Sequence, residues 1–305
     1  VFYSSERRLI VSNDINLVQD YLRYSNPHIQ FRGNVIPKGE AVYGGLVKHS
    51  KVTLCPVGIT EEDINNNLEH LIAVTVSTKK GKNDVNLYLV DPKTVSLCTN
   101  MIDRSGEAVF TGDTVLYEGK EYVVKFKAGE FYLEGERRRS LNSTVSYAVK
   151  VLKDRPVQED CLDLDAIEIK SKVFEINGWA RGGFSYNEET KRLDTLITDG
   201  FSDWNLPVSI MAMKIRDNIY GFGFGVVDED GTRAYTGDII KFTADVEVDD
   251  FIRIRKDQRA VILMAHGGVH ICYGGMLIPI QDVLQDNKLR SATIVSNIHE
   301  VEFNQ

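Results

Sequence analysis

Residues 102–115 read IDRSGEAVFTGDTV and residues 227–240 read VDEDGTRAYTGDII, 125 positions apart. The shared pattern is apolar-Asp-x-x-Gly-x-x-small-aromatic-Thr-Gly-Asp-x-apolar, without a gap. Self-similarity of this kind constrains the fold more than any composition does, because each copy must be one supersecondary unit built twice. Asp103–Gly106 and Asp228–Gly231 read as turns. Asp accepts from its own downstream backbone, and Gly supplies the positive φ. Gly112-Asp113 and Gly237-Asp238 read as a second turn that opens a strand. The same aspartates could serve as metal or acid–base carboxylates, but turn chemistry accounts for all of them.

The stretch after each motif is β-rich. Residues 114–134 are dense in Val, Tyr and Phe and broken at Gly119 and Gly129, which predicts three short strands joined by tight turns. Alternation is plain in Phe251-Ile252-Arg253-Ile254-Arg255, and Gly267-Gly268 predicts a hairpin turn. Helices are few. Thr60 caps an expected helix over 60–72 with Ile64, Leu68 and Leu71 on one face. Another is expected over 279–286 with Pro279 in its first turn. A third is expected over 14–24, with Ile15, Val18, Tyr21 and Leu22 facing the core. The fold class is therefore mainly β: two related, small, barrel-like or coiled antiparallel sheet domains. The expected division is an N-terminal extension over 1–27, a first domain over 28–150, a linker over 151–171 and a second domain over 172–305.

A chain of 305 residues with 43% hydrophobic residues can bury a core without disulfides or metals. Cys55, Cys98, Cys161 and Cys272 have no metal-ligand spacing and are expected to be buried and reduced. No apolar run approaches a membrane span. The opening VFYSSERRLI lacks a signal-peptide pattern, so a cytoplasmic protein is expected. A formal net charge of −8 argues against broad nucleic-acid binding and leaves room for a local basic patch.

Several residues in this sequence are similar to the YopX family of phage and prophage proteins. Gln30-Phe31-Arg32-Gly33 and Gly39–Val47 resemble that family's opening strand pair. Val90–Val95 leads into the 102–115 motif in the family's order, and Gly129–Leu133 resembles its later hairpin. In the second copy, residues 227–240 match best, Trp179–Leu193 resembles a diverged opening, and Ala292–Glu300 resembles the closing strand. The first copy departs from the pattern after residue 140, where the closing strand motif is missing. The resemblance covers most of the chain. It implies a β-rich fold, a tendency to form homo-oligomers and a phage-encoded origin, and it carries over no activity.

Tests for catalytic chemistry find little. Gly221-Phe222-Gly223-Phe224-Gly225 is glycine-dense but lacks the lysine and hydroxyl of a phosphate loop, and reads as a strand. His266, His270 and Cys272 lie close in sequence, but a hairpin fits them better than a metal or nucleophile site. No catalytic, metal or cofactor site is assigned. Two sets read as partner-binding surfaces: Arg137-Arg138-Arg139, and Trp179, Arg181, Phe184, Phe201 and Trp204. Arginine and aromatic residues in such settings are typical of interface anchors. The expectation is a non-enzymatic phage accessory protein that binds and inhibits a host protein of an antiphage defence system. A nucleotide- or nucleic-acid-binding protein is the alternative.

Overall fold

The computed structural model describes residues 12–24, 29–50, 68–77, 83–174, 178–187, 189–201, 207–265 and 267–300. Among the described residues it is mostly β, as the turn-punctuated Val, Tyr and Phe runs predict. The chain divides into two compact units. One holds residues 27–225 with 266–268, and the other holds 1–26, 226–265 and 269–305. The segment expected as a linker contributes to the first unit through the strands Lys150–Val151 and Ile167–Val173.

In the larger unit, Phe31–Asn34 pairs antiparallel with Ala41–Ser50 and with Ser96–Ile102. Ala41–Ser50 continues onto Leu68–Ser77, which pairs on its far edge with Asn83–Leu89. Leu68–Ser77 also runs parallel to Trp179–Asn187 through Val74↔Tyr186 and Thr75↔Asn187. Trp179–Asn187 is flanked by Arg192–Phe201 and by Ile167–Val173, and both of these pair with Pro207–Val227. The glycine-dense 221–225 stretch is thus strand, as read from the sequence. The core of this unit is aromatic. Phe31 lies 6.0 Å from Phe184, Phe126 lies 4.6 Å from Phe131 and 6.3 Å from Phe222, and Phe224 and Tyr186 are fully buried.

The three strands expected over 114–134 are Thr114–Tyr117, Lys120–Lys127 and Glu130–Glu134. Their tight turns carry positive φ at Glu118-Gly119 and Ala128-Gly129, the requirement of two-residue hairpins. Three helix expectations fare differently. Ser12–Tyr24 is a helix, but its buried face is Leu17, Val18 and Tyr21, while Leu22 is 74% exposed. The expected helix over 60–72 is corrected where it is described, because Leu68–Ser77 is a strand. There, Leu71, Ile72 and Ala73 are buried in succession. A strand covered on both faces explains that run better than one helical stripe. Residues 60–67 lie outside the described residues. The expected 279–286 helix is a single 3-10 turn, Ile280–Val283, followed by the strand Leu284–Gln285, with Pro279 acting as the cap.

In the smaller unit, Asp238–Phe242 pairs with Arg259–Ala265 and with Ala292–Asn297. The helix Ser12–Tyr24 covers this sheet, burying Leu17, Val18 and Tyr21 against Ile239, Val261, Leu263, Cys272 and Ile298. Among the described residues, no helix is long and apolar enough to cross a membrane.

The two Asp-Gly motifs fold alike, bond for bond. Asp103 N–H donates to Glu107 O at 2.8 Å, and Asp228 N–H donates to Thr232 O at 2.9 Å. The carboxylate of Asp103 accepts from the Ser105, Glu107 and Val151 amides, and that of Asp228 from the Asp230, Thr232 and Ile294 amides. Asp113 and Asp238 each accept from the amide three residues upstream, Phe110 and Tyr235, both at 2.9 Å. The four motif glycines, Gly106, Gly112, Gly231 and Gly237, all have φ between 81° and 89°, where a side chain would be strained.

The copies differ in how the second aspartate is closed off. The Arg32 guanidinium meets Asp113 at 2.7 Å, whereas the Asn297 side-chain amide meets Asp238 at 2.9 Å. The closing strand absent from the first copy's sequence pattern has a structural counterpart. Val151 reaches Asp103 as Ile294 reaches Asp228, and the Gln158 amide meets Gly112 O as the Ile298 amide meets Gly237 O.

Candidate binding surface

Strand Ile167–Val173 alternates strictly. Ile167, Ile169, Ser171 and Val173 are buried, so Glu168, Lys170 and Lys172 face outward. On the neighbouring strand, Arg181 sits opposite Lys170 and Trp179 opposite Lys172, and directly opposed residues share a sheet face. The Trp179 ring centre lies 5.0 Å from the Lys170 ammonium and 5.3 Å from that of Lys172, within cation–π range.

On the other side, the ladder with Pro207–Val227 slips between Ser171 and Val173. Such a slip re-aims the side chains beyond it. Val173 then registers with Ile215, both buried, which turns Lys214, Arg216 and Phe174 outward. Phe174 is 56% exposed, and the Arg216 guanidinium lies over its ring at 5.3 Å. The Phe174 amide donates to Lys214 O at 3.2 Å. Among the described residues, one sheet face therefore carries Lys170, Lys172, Arg181, Lys214 and Arg216 with Trp179 and Phe174, beside Glu168. This concentration occurs in a chain whose net charge is −8.

The residues expected to bind partners are only partly brought together. Trp179 and Arg181 belong to this face. Phe184 does not: it is 1% exposed and packs on Phe31 in the core, because it occupies an inward position of its strand. Phe201 ends the Arg192–Phe201 strand opposite Pro207, its side chain outside the described residues, as is all of Trp204. The Arg137–Arg139 run is split. Arg138 stacks on Tyr132 at 3.9 Å and pairs with Glu130, and Arg139 lies 5.6 Å from Tyr117 and 3.5 Å from Glu118. Those two arginines brace the hairpins beneath them, and Arg137 alone of the three is exposed without an interaction among the described residues. Sequence reasoning missed Lys170, Lys172, Phe174, Lys214 and Arg216. The alternation in IEIKSKV signals the two lysines, but the bulge that recruits Lys214 and Arg216 leaves no mark in the sequence.

The aspartates weighed as metal or acid–base groups, Asp103, Asp113, Asp228 and Asp238, are buried and occupied by backbone amides. The thiols are poor nucleophiles. Burial raises the Cys272 pKa to about 12, helped by the Asp20 carboxylate, and burial raises Cys161 to about 11. The thiolate is the reactive form, so we expect no alkylation of Cys161 or Cys272 by iodoacetamide at pH 8 until the protein is unfolded. Mass spectrometry of the folded and denatured protein checks this, and fast labelling of folded Cys272 would revive a nucleophile role with His270. His266 lies outside the described residues.

No family model matches the chain, and neither a curated protein nor a solved structure matches it.

Proposed function

We propose that this chain is a non-catalytic binding protein that holds an acidic surface of a protein partner on the Lys170–Lys172–Trp179–Arg216 face. In the phage setting that the family resemblance implies, that partner is a host protein of an antiphage defence system, and binding inhibits it. The single observation that supports the reading is the collection of five cations and two aromatics on one sheet face of an acidic chain. The aromatics hold the cations in place before any partner arrives, which lowers the ordering cost of binding. Nucleic acid is the second reading, and Trp179 beside two lysines favours it. However, both aromatic rings already carry cations on them, so stacking bases there must displace those cations.

The test is affinity purification of the tagged chain from bacterial host extract, set beside the Lys172→Glu/Arg216→Glu protein. The wild type is expected to recover a stoichiometric protein that leaves in high salt, because exposed charge pairs are screened. The double variant is expected to recover none. Recovery of nucleic acid without protein, or equal recovery by both chains, would overturn the reading.

A further inference from the structure

A cleft of about 450 Å³ lies in the larger unit between the 3-10 turn Pro92–Thr94 and the irregular segment 158–164. Clefts that bind small molecules are of this size. Both walls are fixed from behind. The Lys93 amide donates to the Asp91 carboxylate at 3.0 Å, and the Asn34 amide donates to the Thr94 hydroxyl at 2.9 Å. On the other wall, the Gln158 amide donates to Gly112 O at 2.9 Å, the Phe126 amide to Cys161 O at 3.0 Å and the Lys48 ammonium to Leu164 O at 2.7 Å. A cleft held open in this way costs little further ordering when a ligand enters.

The lining has two characters. Val95 is buried, Leu162 and Leu164 are half-buried, and together they make one part of it apolar. Asp160 and Asp163 are exposed carboxylates on the same cleft, and neither joins an ion pair among the described residues. Lys93 also lines it, but its ammonium is committed to Glu159 at 3.1 Å. The hydrogen bond and charge of Glu159, with Asp91 and Asp160 adding to them, hold the Lys93 pKa above its ordinary value. The field in the cleft is therefore negative.

Such a field repels phosphates and carboxylates. A metal ion suits the cleft no better. Among the described residues no three carboxylate, imidazole or thiol groups converge on one, and a hard cation gains nothing from leucine. An organic cation gains from both parts of the lining, because methylenes cover the apolar side chains while ammonium groups meet the carboxylates. Lysine side chains divide their own contacts in the same way. We propose that this cleft binds a linear alkylammonium, with a free polyamine and a lysine side chain of a partner as the two sources of that chemistry. The site is separate from the basic face and does not rest on it.

Isothermal titration calorimetry of the full chain tests this at fixed ionic strength, with spermidine, an acetylated and amidated trilysine peptide, and magnesium chloride as titrants. Spermidine or the peptide is expected to bind in the millimolar range or tighter, and the tighter of the two identifies the source. Magnesium at equal charge is expected to displace neither. Across a series of linear diamines, affinity is expected to rise by up to about fourfold per added methylene, the gain for burying one. Asp160→Asn/Asp163→Asn is expected to weaken binding by about tenfold or more, as loss of hydrogen bonds to charged groups does. Both replacements suit the backbone. Asp160 has a φ of 55°, which asparagine adopts readily, and asparagine at the second position keeps an acceptor for the Asp165 and Ala166 amides. Lys172→Glu/Arg216→Glu should bind as wild type does. No binding of either titrant, equal displacement by magnesium, affinity indifferent to chain length, or unaltered binding by Asp160→Asn/Asp163→Asn would each overturn the proposal.

Discussion

Asp228→Ala is expected to destabilise the protein by about 2–4 kcal/mol in urea unfolding. Asp228 is 1% exposed and accepts three amides, those of Asp230 at 3.0 Å, Thr232 at 2.8 Å and Ile294 at 2.9 Å. Alanine removes the acceptor of all three donors; a buried unsatisfied group costs about 1–3 kcal/mol, and because Asp230 and Thr232 are exposed, water can take up their amides, so the loss falls well short of three full penalties. Against a typical total of roughly 5–15 kcal/mol, that loss removes much of the fold's stability. Asp228→Asn, which keeps a side-chain acceptor, should lose distinctly less.

Asp103, its counterpart, adds a pH signature. Burial works against its charge, but hydrogen bonds from Val151, Glu107 and Ser105 outweigh burial and hold its pKa below the ordinary value. A carboxyl depressed in the folded state contributes stability that is complete above its unfolded pKa of about 3.9 and is lost as pH falls through the folded value. The urea midpoint of wild type should therefore fall below about pH 4 more steeply than that of Asp103→Asn. Parallel curves for the two proteins would show that Asp103 does not couple charge to folding.

Gly45→Ala is expected to be the most damaging single methyl in the larger unit. A Cβ at Gly45 would lie 1.9 Å from Phe184 O and 2.6 Å from its carbonyl carbon. Gly183 makes the reciprocal approach, 2.5 Å from Leu46 O and Val47 Cα. The obstructing atoms are backbone, so no rotamer change relieves them. Overpacking costs typically about 1–3 kcal/mol where side chains can yield, and we place Gly45→Ala at or above the upper end. Thermal unfolding measures it directly, with Gly39→Ala as a contrast, since nothing lies within 4 Å of a Cβ there. The Gly39 position has a φ of 73°, so its loss measures backbone strain alone; a loss at Gly45→Ala no larger than that at Gly39→Ala would mean that the strand crossing yields.

The Asp-x-x-Gly and Thr-Gly-Asp turns are local: donor, acceptor and positive φ lie within five residues, so their chemistry is written in one stretch. The same holds for the tight turns at Gly119 and Gly129. The partners that complete each motif are not local. Arg32 is 81 positions from Asp113, and Asn297 is 59 from Asp238. The first copy hides its closing strand in a two-residue pairing, Lys150–Val151, too short to announce itself.

The candidate site divides in the same way. Trp179 and Arg181 stand out by residue type. Phe184 looks equivalent by type but is carried to the core by strand alternation. Lys214 and Arg216 join the face only through a ladder slip near Ser171. The failed helix at Leu68–Leu71 shows a spacing of three that also suits a strand buried on both faces.

We propose the Lys170–Lys172–Trp179–Arg216 face as the working surface. Amide hydrogen exchange of the chain, alone and saturated with whatever protein the affinity purification yields, tests that proposal most directly. Slowed exchange is expected in strands 167–173 and 179–187 and in the neighbouring stretch 207–225, with the 130–140 hairpin unchanged. Protection confined to the Arg137–Arg139 region, with the basic face exchanging as it does in the free protein, would contradict it.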